Sequence, residues 1–174
     1  MSDGRYIGTA SIGYEGVAGL LPALTQIAAS TRMLVQIGGG ATSLPADKLK
    51  ARADQSPSLM ALCLRFALAR AVQTEQSAAC NTLHHLPARL ARWLLLSEDR
   101  VNRSRMTLTQ DEMAAMTGAL RSSISLTASE FKEQGLIGYS RGQVEILDRP
   151  GLERRACECY RVDIARREAL CLRA

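Results

Sequence analysis

A chain of 174 residues is long enough for one domain or two small ones, and its apolar content of 47% is ample for a hydrophobic core. Only 4% of the residues are aromatic, which predicts an aliphatic core. The net charge of +5 suits a polyanionic partner without requiring one. Most of this excess lies in residues 57–174, which carry 17 Lys and Arg against 13 Asp and Glu.

No stretch reaches the roughly 18 uninterrupted apolar residues of a membrane helix. The first residues also lack the basic and then apolar layout of a signal peptide. These two features predict a cytoplasmic protein without a membrane partner.

The first 56 residues hold eight of the 13 glycines, which favours turns over long helices. Residues 6–10 and 32–37 are predicted to be strands. The triple glycine at 38–40 is interpreted as a turn, since no Lys-Ser/Thr follows it as a phosphate-binding P-loop requires. A short helix is predicted to begin at Pro45.

A long helix is predicted over residues 57–83, with Ser56 as N-cap and Pro57 in the first turn. It would be roughly 40 Å long at 1.5 Å per residue. Apolar and amide side chains recur at alternating spacings of three and four, as in a coiled-coil seam. We expect a homodimer interface at Leu59, Leu62, Phe66, Ala69, Gln73 and Gln76. The alternative is that this helix packs on the chain's own N-terminal segment.

His84 and His85 stand before Pro87 and are interpreted as a solvated hinge rather than as a pH sensor. The next helix is predicted over residues 87–99. Arg100, Arg103 and Arg105 follow in a predicted loop, where they would contact phosphates or be solvated.

Thr109 and Glu112 form a capping-box pattern that starts a short helix ending at Gly118. A second helix is predicted over residues 120–134, with Arg121, Ser122, Ser125 and further polar residues on its outer face. Two strands follow at 136–139 and 143–147. Helix, turn, helix and hairpin make a winged helix-turn-helix, whose second helix fits the DNA major groove. A small helical bundle with a solvated serine-rich face has the same pattern.

A last helix is predicted over residues 152–172, which would pack on this module or extend a dimer contact. The five cysteines are predicted to be free thiols. Cys157 and Cys159, with the His84-His85 pair, suggest a metal site. Their spacing fits no common zinc pattern, so we expect no metal. The familiar nucleophile, metalloprotease and P-loop motifs are absent, so we expect no enzyme activity.

From about Ser56 to Tyr160, the chain resembles the Crp/Fnr family of bacterial transcription regulators. The matching blocks stand in the family's order and at its spacing. They are RLARWLL (89–95), LTQDE (108–112), Gly118, RSSI (121–124), GLIGYSRG (135–142) and ILD (146–148). The resemblance implies a dimeric DNA-binding regulator with an N-terminal β-roll sensor domain.

The resemblance also implies roles for individual residues. Thr109 and Gln110 would contact phosphates, while Ser140 and Arg141 would lie at the tip of the wing. The base-facing positions of the second helix are Arg121, Ser122, Ser123 and Leu126. The family often has serine, glutamate and arginine where this chain has Leu120, Ser122 and Leu126. We therefore expect a DNA sequence other than the one best known for the family.

Residues 1–56 resemble only the second half of the family's β-roll. The chain is thus a natural short form, the product of a misplaced start codon or a fragment. Glu15 faintly matches a glutamate of the cyclic-nucleotide-binding members, but residues 40–44 lack their Arg-Ser pair. A bound phosphate would have no counter-charge there, so we expect no cyclic nucleotide and no other cofactor.

The predicted fold class is α+β, with a partial β-roll (1–56), a long dimerisation helix (57–83) and a winged helix-turn-helix with a C-terminal helix (84–174). The predicted function is sequence-specific transcription regulation by a homodimer on double-stranded DNA. RNA polymerase is a candidate partner, and the effector is unknown. The alternative is a truncated interaction or dimer-titrating module that lacks sensing and a DNA target of its own.

Overall fold

The computed structural model describes residues 6–101 and 103–169. Within these ranges eight helices and three strands follow one another. They are α1 (Leu20–Thr25), α2 (Ala46–Asp54), α3 (Pro57–Leu83), α4 (Leu86–Val101), β1 (Arg105–Thr107), α5 (Gln110–Thr117), α6 (Arg121–Glu133), β2 (Ile137–Ser140), β3 (Gln143–Ile146), α7 (Arg149–Arg155) and α8 (Cys159–Ala169). None of the helices in the described part is long and apolar enough to cross a membrane.

The predicted long helix is confirmed as α3, which spans 27 residues. It begins where the sequence places it, because the Ser56 hydroxyl accepts the backbone N–H of Leu59 at 3.3 Å and Pro57 occupies the first turn. It ends before His84, whose backbone is extended. The hinge between α3 and α4 is therefore short.

The winged helix-turn-helix is confirmed as α5, α6 and an antiparallel sheet. Gly118 ends α5 with φ of 63°, the left-handed conformation that glycine adopts without strain. The sheet has the strand order β1-β3-β2. We predicted β2 and β3, but Arg105 was placed in a loop, whereas it begins β1. Strand β1 is only three residues long, and it forms because it pairs with β3, where Met106 lies opposite Val144.

The core of this part of the molecule forms around α4, whose residues 90–97 are all buried. Side chains from α5, α6, the sheet and α7 pack against it, including Met113, Ile124, Phe131, Val144 and Leu152. The core is mostly aliphatic, as the composition predicts. The packing fixes the position of α6 relative to α4.

The single C-terminal helix that we predicted over residues 152–172 is wrong in the described residues, because α7 and α8 are separate helices. Helix α7 begins earlier, since the Asp148 carboxylate accepts the backbone N–H of Gly151 at 2.9 Å. It ends at Ala156, whose ψ of 149° is extended. This break turns Cys157 toward the end of α3.

The strands that we predicted at 6–10 and 32–37 are also wrong, since no strand forms among the described residues 6–56. A strand needs a neighbouring strand to accept its backbone hydrogen bonds. Here the backbone N–H of Gly8 donates to the Ala115 carbonyl at 3.0 Å, and that of Ser11 donates to the Gln73 side chain at 3.2 Å. The described residues before α1 are therefore a loop that is bonded to α3 and α5.

The predicted dimer seam is partly covered by this same segment. Phe66 is buried in a cluster with Leu20 and Cys63, so it is not free to contact a second chain. Gln73 binds Ser11, and Gln76 contacts Cys159. The seam prediction is wrong at these positions because the N-terminal segment and α8 cover that face of α3. The remaining members, Leu59, Leu62 and Ala69, are exposed or partly exposed.

Arg149 connects three helices by its guanidinium group. It donates to Glu98 and to Asp99, the latter at 2.7 Å, and also to the Tyr160 hydroxyl. Burial lowers the pKa of Arg149, but the hydrogen bond and charge of Asp99 outweigh that effect and raise it overall. Arg149 therefore stays charged and joins α4, α7 and α8.

Replacing Arg149 with alanine is expected to lower the free energy of unfolding by about 1–3 kcal/mol, because Glu98 loses its donor and Asp99 keeps only the Tyr160 hydroxyl. Arg154→Ala on the same helix is the control: Arg154 is exposed and lies 3.8 Å from Asp148. That change is expected to stay within about 0.5 kcal/mol. Urea denaturation measures both, and equal losses would contradict the connecting role of Arg149.

Candidate nucleic-acid interface

The inner face of α6 determines which side chains point outward. Ile124, Ala128 and Phe131 are buried on the α4 side. Arg121 and Ser122 at the start of the helix, and Leu126 one turn later, are therefore exposed. Leu126 is 75% exposed, whereas the leucines of the core are almost fully buried. These residues form the outer face of α6.

Arg121 is the only cation among those three outward residues. Its side chain is 67% exposed, and its Nε lies 3.7 Å from Oδ1 of Asp111 in the first turn of α5. An exposed ion pair at this distance contributes about 0–1 kcal/mol, so its guanidinium is readily available to another acceptor.

The first turn of α6 has no side-chain cap, because its N-cap residue is Leu120. The backbone N–H groups at the start of the helix thus keep their capacity to donate to an outside acceptor. Leu120 itself is exposed. Ser123 and Ser125, which we also predicted to contact DNA, are half-buried. They are less accessible than Ser122.

Thr109 caps α5 and forms the predicted capping box with Glu112. The Thr109 hydroxyl accepts the Glu112 backbone N–H at 3.2 Å and donates to its carboxylate at 2.8 Å. The Thr109 backbone N–H donates to the same carboxylate at 2.7 Å. Gln110, the first residue of α5, is partly exposed beside it. Thr109 thus has a structural role within the chain.

The wing is the hairpin of β2 and β3, with Ser140 and Arg141 exposed near its tip. Arg141 has φ of 49° and Gly142 has φ of 75°. Two consecutive residues with positive φ match a type I′ turn, which suits a two-residue hairpin. The turn projects the Arg141 side chain away from the sheet.

Two of the three arginines that we predicted in a loop are engaged within the chain, and Arg100 lies in α4 rather than in a loop. Arg100 is buried, donates to the Leu96 carbonyl at 2.7 Å and faces Glu15. Burial lowers the pKa of Arg100, and the Glu15 charge opposes that shift. Arg105 donates to Glu145 at 2.6 Å. Arg103 is exposed. The prediction of a phosphate contact is wrong for Arg100, because its guanidinium is enclosed by the fold.

Sequence reasoning grouped Cys157 and Cys159 with the histidine pair but missed Cys80. Cys157 and Cys159 lie beside Cys80 and His84, with all four potential ligand atoms within 4.8 Å of one another. A hydrogen bond with Cys157 lowers the pKa of Cys80, whereas this bond raises the pKa of Cys157. The spacing of Cys80 and His84, one helical turn apart, is the signal that could have linked them. The expectation of no metal did not consider Cys80.

Comparisons with known proteins match this part of the chain. The family model described as a Crp-like helix-turn-helix domain matches residues 88–155. A comparison with curated proteins gives no match.

Solved structures of regulators resemble the chain as well. A CRP-family transcriptional regulator from Thermus thermophilus is 28% identical over 54% of this chain and 51% of its own, with a TM-score of 0.50. A crp/fnr-family regulator from Eubacterium rectale is 24% identical over 63% of this chain and 51% of its own, also at 0.50. FixK2 from Bradyrhizobium japonicum is 15% identical over 64% and 59%, at 0.59. The chain spans about half the length of the first two.

Removing the α5 cap by Thr109→Ala is expected to lower the free energy of unfolding by about 1 kcal/mol, because the Glu112 backbone N–H loses its acceptor. The matched control, Thr109→Ser, keeps the hydroxyl and should retain most of the stability. The midpoint of urea denaturation measures the difference. An alanine variant as stable as wild type would show that the capping box does not stabilise α5.

Proposed function

We propose, from the premise that the chain is a Crp/Fnr family regulator with a Crp-like helix-turn-helix domain, that it regulates transcription by binding double-stranded DNA through α6. The observation that carries the proposal is the outer face of α6, where Arg121, Ser122 and Leu126 point away from the core. Three of the similar solved structures are described as transcriptional regulators.

The size and chemistry of α6 suit the major groove. Its 13 residues make a helix roughly 20 Å long, and the groove of B-DNA is about 12 Å wide. Arg121 can donate two hydrogen bonds to guanine, Ser122 can bond to either a base or a phosphate, and Leu126 can contact the methyl group of thymine. These three side chains would read the sequence.

Two features would position the helix on the backbone of DNA. The uncapped first turn offers backbone N–H groups to a phosphate, with the positive end of the helix dipole behind them. At the wing tip, Arg141 would meet a neighbouring phosphate. Asp111 would repel phosphate, so its loose ion pair with Arg121 must open when DNA binds.

A second copy of the chain is proposed to pack along another face of α3 than the seam predicted from the sequence. Residues 61, 64, 68 and 71 follow the alternating spacing of three and four, residue 78 lies one heptad after 71, and all five are exposed, while the intervening position is the charged Glu75. They are Ala61, Leu64, Leu68, Ala71 and Ala78. The two leucines are 59% and 53% exposed. This stripe would bury its apolar surface against the same stripe of a partner helix.

A symmetric pair would present two copies of α6 to successive turns of one face of DNA. We propose a pseudo-palindromic target with half-sites about one helical turn apart. A cyclic nucleotide is not proposed as effector, because Glu15 binds the Gly13 backbone N–H and faces Arg100. RNA polymerase is the partner that transcription regulation would require.

The dimer is tested by changing Leu64 and Leu68 together to lysine. The double variant is expected to sediment as a monomer at micromolar concentration, because four lysines would face one another across the stripe. Val35→Lys is the control, since Val35 is 86% exposed outside α3. Both variants should keep the helical circular dichroism of wild type. A wild-type chain that is already monomeric would rule out the stripe as a dimer contact.

DNA binding is tested on a duplex selected from a random library by the wild-type protein. Arg121→Ala is expected to lose about 1–3 kcal/mol on that duplex and to relax the preference at one base pair. Arg141→Ala should weaken binding to selected and random duplexes alike. It should also reduce the number of counterions released on binding by about one, as expected for the loss of a phosphate contact. Fluorescence anisotropy at several salt concentrations measures both.

Asp111→Asn provides the matched control for Arg121. It removes the competing carboxylate without touching a proposed donor, so affinity for any duplex should rise. If both arginine variants bind DNA as wild type does at low salt, α6 and the wing do not contact DNA in this way. The interaction-module alternative would then be the better explanation of the fold.

A further inference from the structure

The cluster of Cys80, His84, Cys157 and Cys159 brings together two distant parts of the chain. Cys80 lies in the last turn of α3 and His84 directly follows that helix. Cys157 and Cys159 lie at the break between α7 and α8. All three thiols are buried, while the imidazole is half-buried. Three buried thiols converging with an imidazole are an unusual concentration of soft ligands.

Two distances in the cluster are those of atoms that share one metal ion, and all four ligand atoms lie within 4.8 Å of one another. The Cys80 and Cys157 sulfurs are 3.5 Å apart, and the Cys159 sulfur is 3.7 Å from Nδ1 of His84. A tetrahedral zinc ion with ordinary bond lengths separates its ligand atoms by roughly 3.5–3.8 Å. Bonded sulfurs of a disulfide would be only about 2 Å apart. The cluster thus has the size of a metal site.

The surrounding residues orient the ligands toward a common centre. The Nε2 atom of His84 lies 3.1 Å from the Glu158 carboxylate, which leaves Nδ1 facing the sulfurs. A carboxylate behind a ligand imidazole is the usual arrangement at zinc sites. The Gln76 side chain donates to the Cys159 sulfur at 3.0 Å. Such a donor stabilises a thiolate.

The charge of the site also has a counterpart nearby. Three thiolates and a neutral imidazole around a divalent ion leave one net negative charge. Burial lowers the pKa of the Arg92 guanidinium, but the charges of Asp163, Cys80 and Cys157 raise it overall. Asp163 holds this guanidinium with bonds of 2.6 and 3.0 Å. Because Asp163 already pairs with Arg92, this guanidinium offsets the negative charge of the site only in part.

We propose that Cys80, His84, Cys157 and Cys159 bind one thiophilic divalent metal ion, Zn²⁺ being the ion that suits a tetrahedral set of three thiolates and one imidazole. Four protein ligands leave no open position, so the site is structural and not catalytic. Binding forms three metal–sulfur bonds and one metal–nitrogen bond. Each thiol that becomes a ligand releases its proton to solvent, and no electron is transferred.

The bound ion would connect the end of α3 to the start of α8 across the hinge that leads into α4. That hinge separates the proposed dimer helix from the proposed DNA-binding part. Metal binding would hold α8 on α3 and fix the direction in which α4 leaves the hinge. This consequence rests on the proposed function, whereas the metal site itself does not.

The site is tested first on the wild-type chain purified under reducing conditions and freed of metal. Titration with Co²⁺ should give a thiolate-to-cobalt charge-transfer band and the visible absorption of tetrahedral cobalt, saturating at one ion per chain. Zn²⁺ should displace the cobalt and raise the melting temperature, whereas Mg²⁺ should not, since it prefers oxygen ligands. Failure of Co²⁺ to produce the charge-transfer band would overturn the proposal.

Serine variants identify the ligands. Cys80→Ser, Cys157→Ser and Cys159→Ser should each weaken the charge-transfer band and abolish stoichiometric retention of Zn²⁺. Cys63→Ser is the matched control, because Cys63 is a buried thiol of α3 outside the cluster. It should bind as wild type does. If Cys63→Ser loses metal as the others do, the cluster is not the site.

Glu158→Gln provides a variant that leaves all four ligands in place. Because Glu158 is exposed, the variant is expected to fold. Weakening the carboxylate behind the imidazole should reduce Zn²⁺ affinity by about 10- to 100-fold. An unchanged affinity would remove His84 from the ligand set. If Cys80 and Cys157 instead form a disulfide with oxygen as the oxidant, and Zn²⁺ does not prevent it, a redox pair replaces the metal proposal.

The coupling between metal binding and DNA binding is measured separately. The affinity for the selected duplex is compared between the metal-loaded and the metal-free wild-type chain. Coupling predicts different affinities for DNA, and a reciprocal change of Zn²⁺ affinity when DNA is present. Equal affinities would leave the metal site standing and overturn its connection to the hinge. If neither form binds DNA, the proposed function fails while the cobalt spectrum still decides the metal site.

Discussion

The burial of α4 on all sides is the constraint on which the rest of the structure depends. A helix covered all round needs neighbours on every face, and here α5, α6, α7 and α8 provide them. The polar residues of α4 need partners as well. Arg92 is held by Asp163 of α8, and Arg100 by the Leu96 carbonyl. Removing any neighbour would expose apolar surface or an unpaired charge.

The same packing sets the outer face of α6. Ile124 and Phe131 fix the rotation of α6 about its axis, so the direction of Arg121 and Leu126 is set by buried contacts. A side chain that is already oriented loses less entropy when it binds. The helix pair α3 and α8 is organised differently, by the polar and sulfur contacts around Cys159.

Features encoded locally could be predicted from the sequence. Ser56, Thr109 and Gly118 fix helix ends through contacts within a few residues, and these predictions are confirmed. Predictions of features that depend on contacts between distant residues were wrong, or the features were not predicted at all. Whether residues 6–10 and 32–37 pair as strands, and which face of α3 stays exposed, depends on neighbours from elsewhere in the chain. Periodicity does not identify those neighbours. Cys80 and Cys157 are 77 positions apart, so no short motif contains both.

The turn at the tip of the wing places an arginine in a backbone conformation that lowers the stability of the hairpin. Arg141 adopts φ of 49°, a conformation that disfavours a side chain by roughly 1 kcal/mol relative to glycine. Selection for thermal robustness alone would therefore favour glycine at this position. With arginine in this place the hairpin gives up that stability, a cost that the proposed phosphate contact of its side chain would explain.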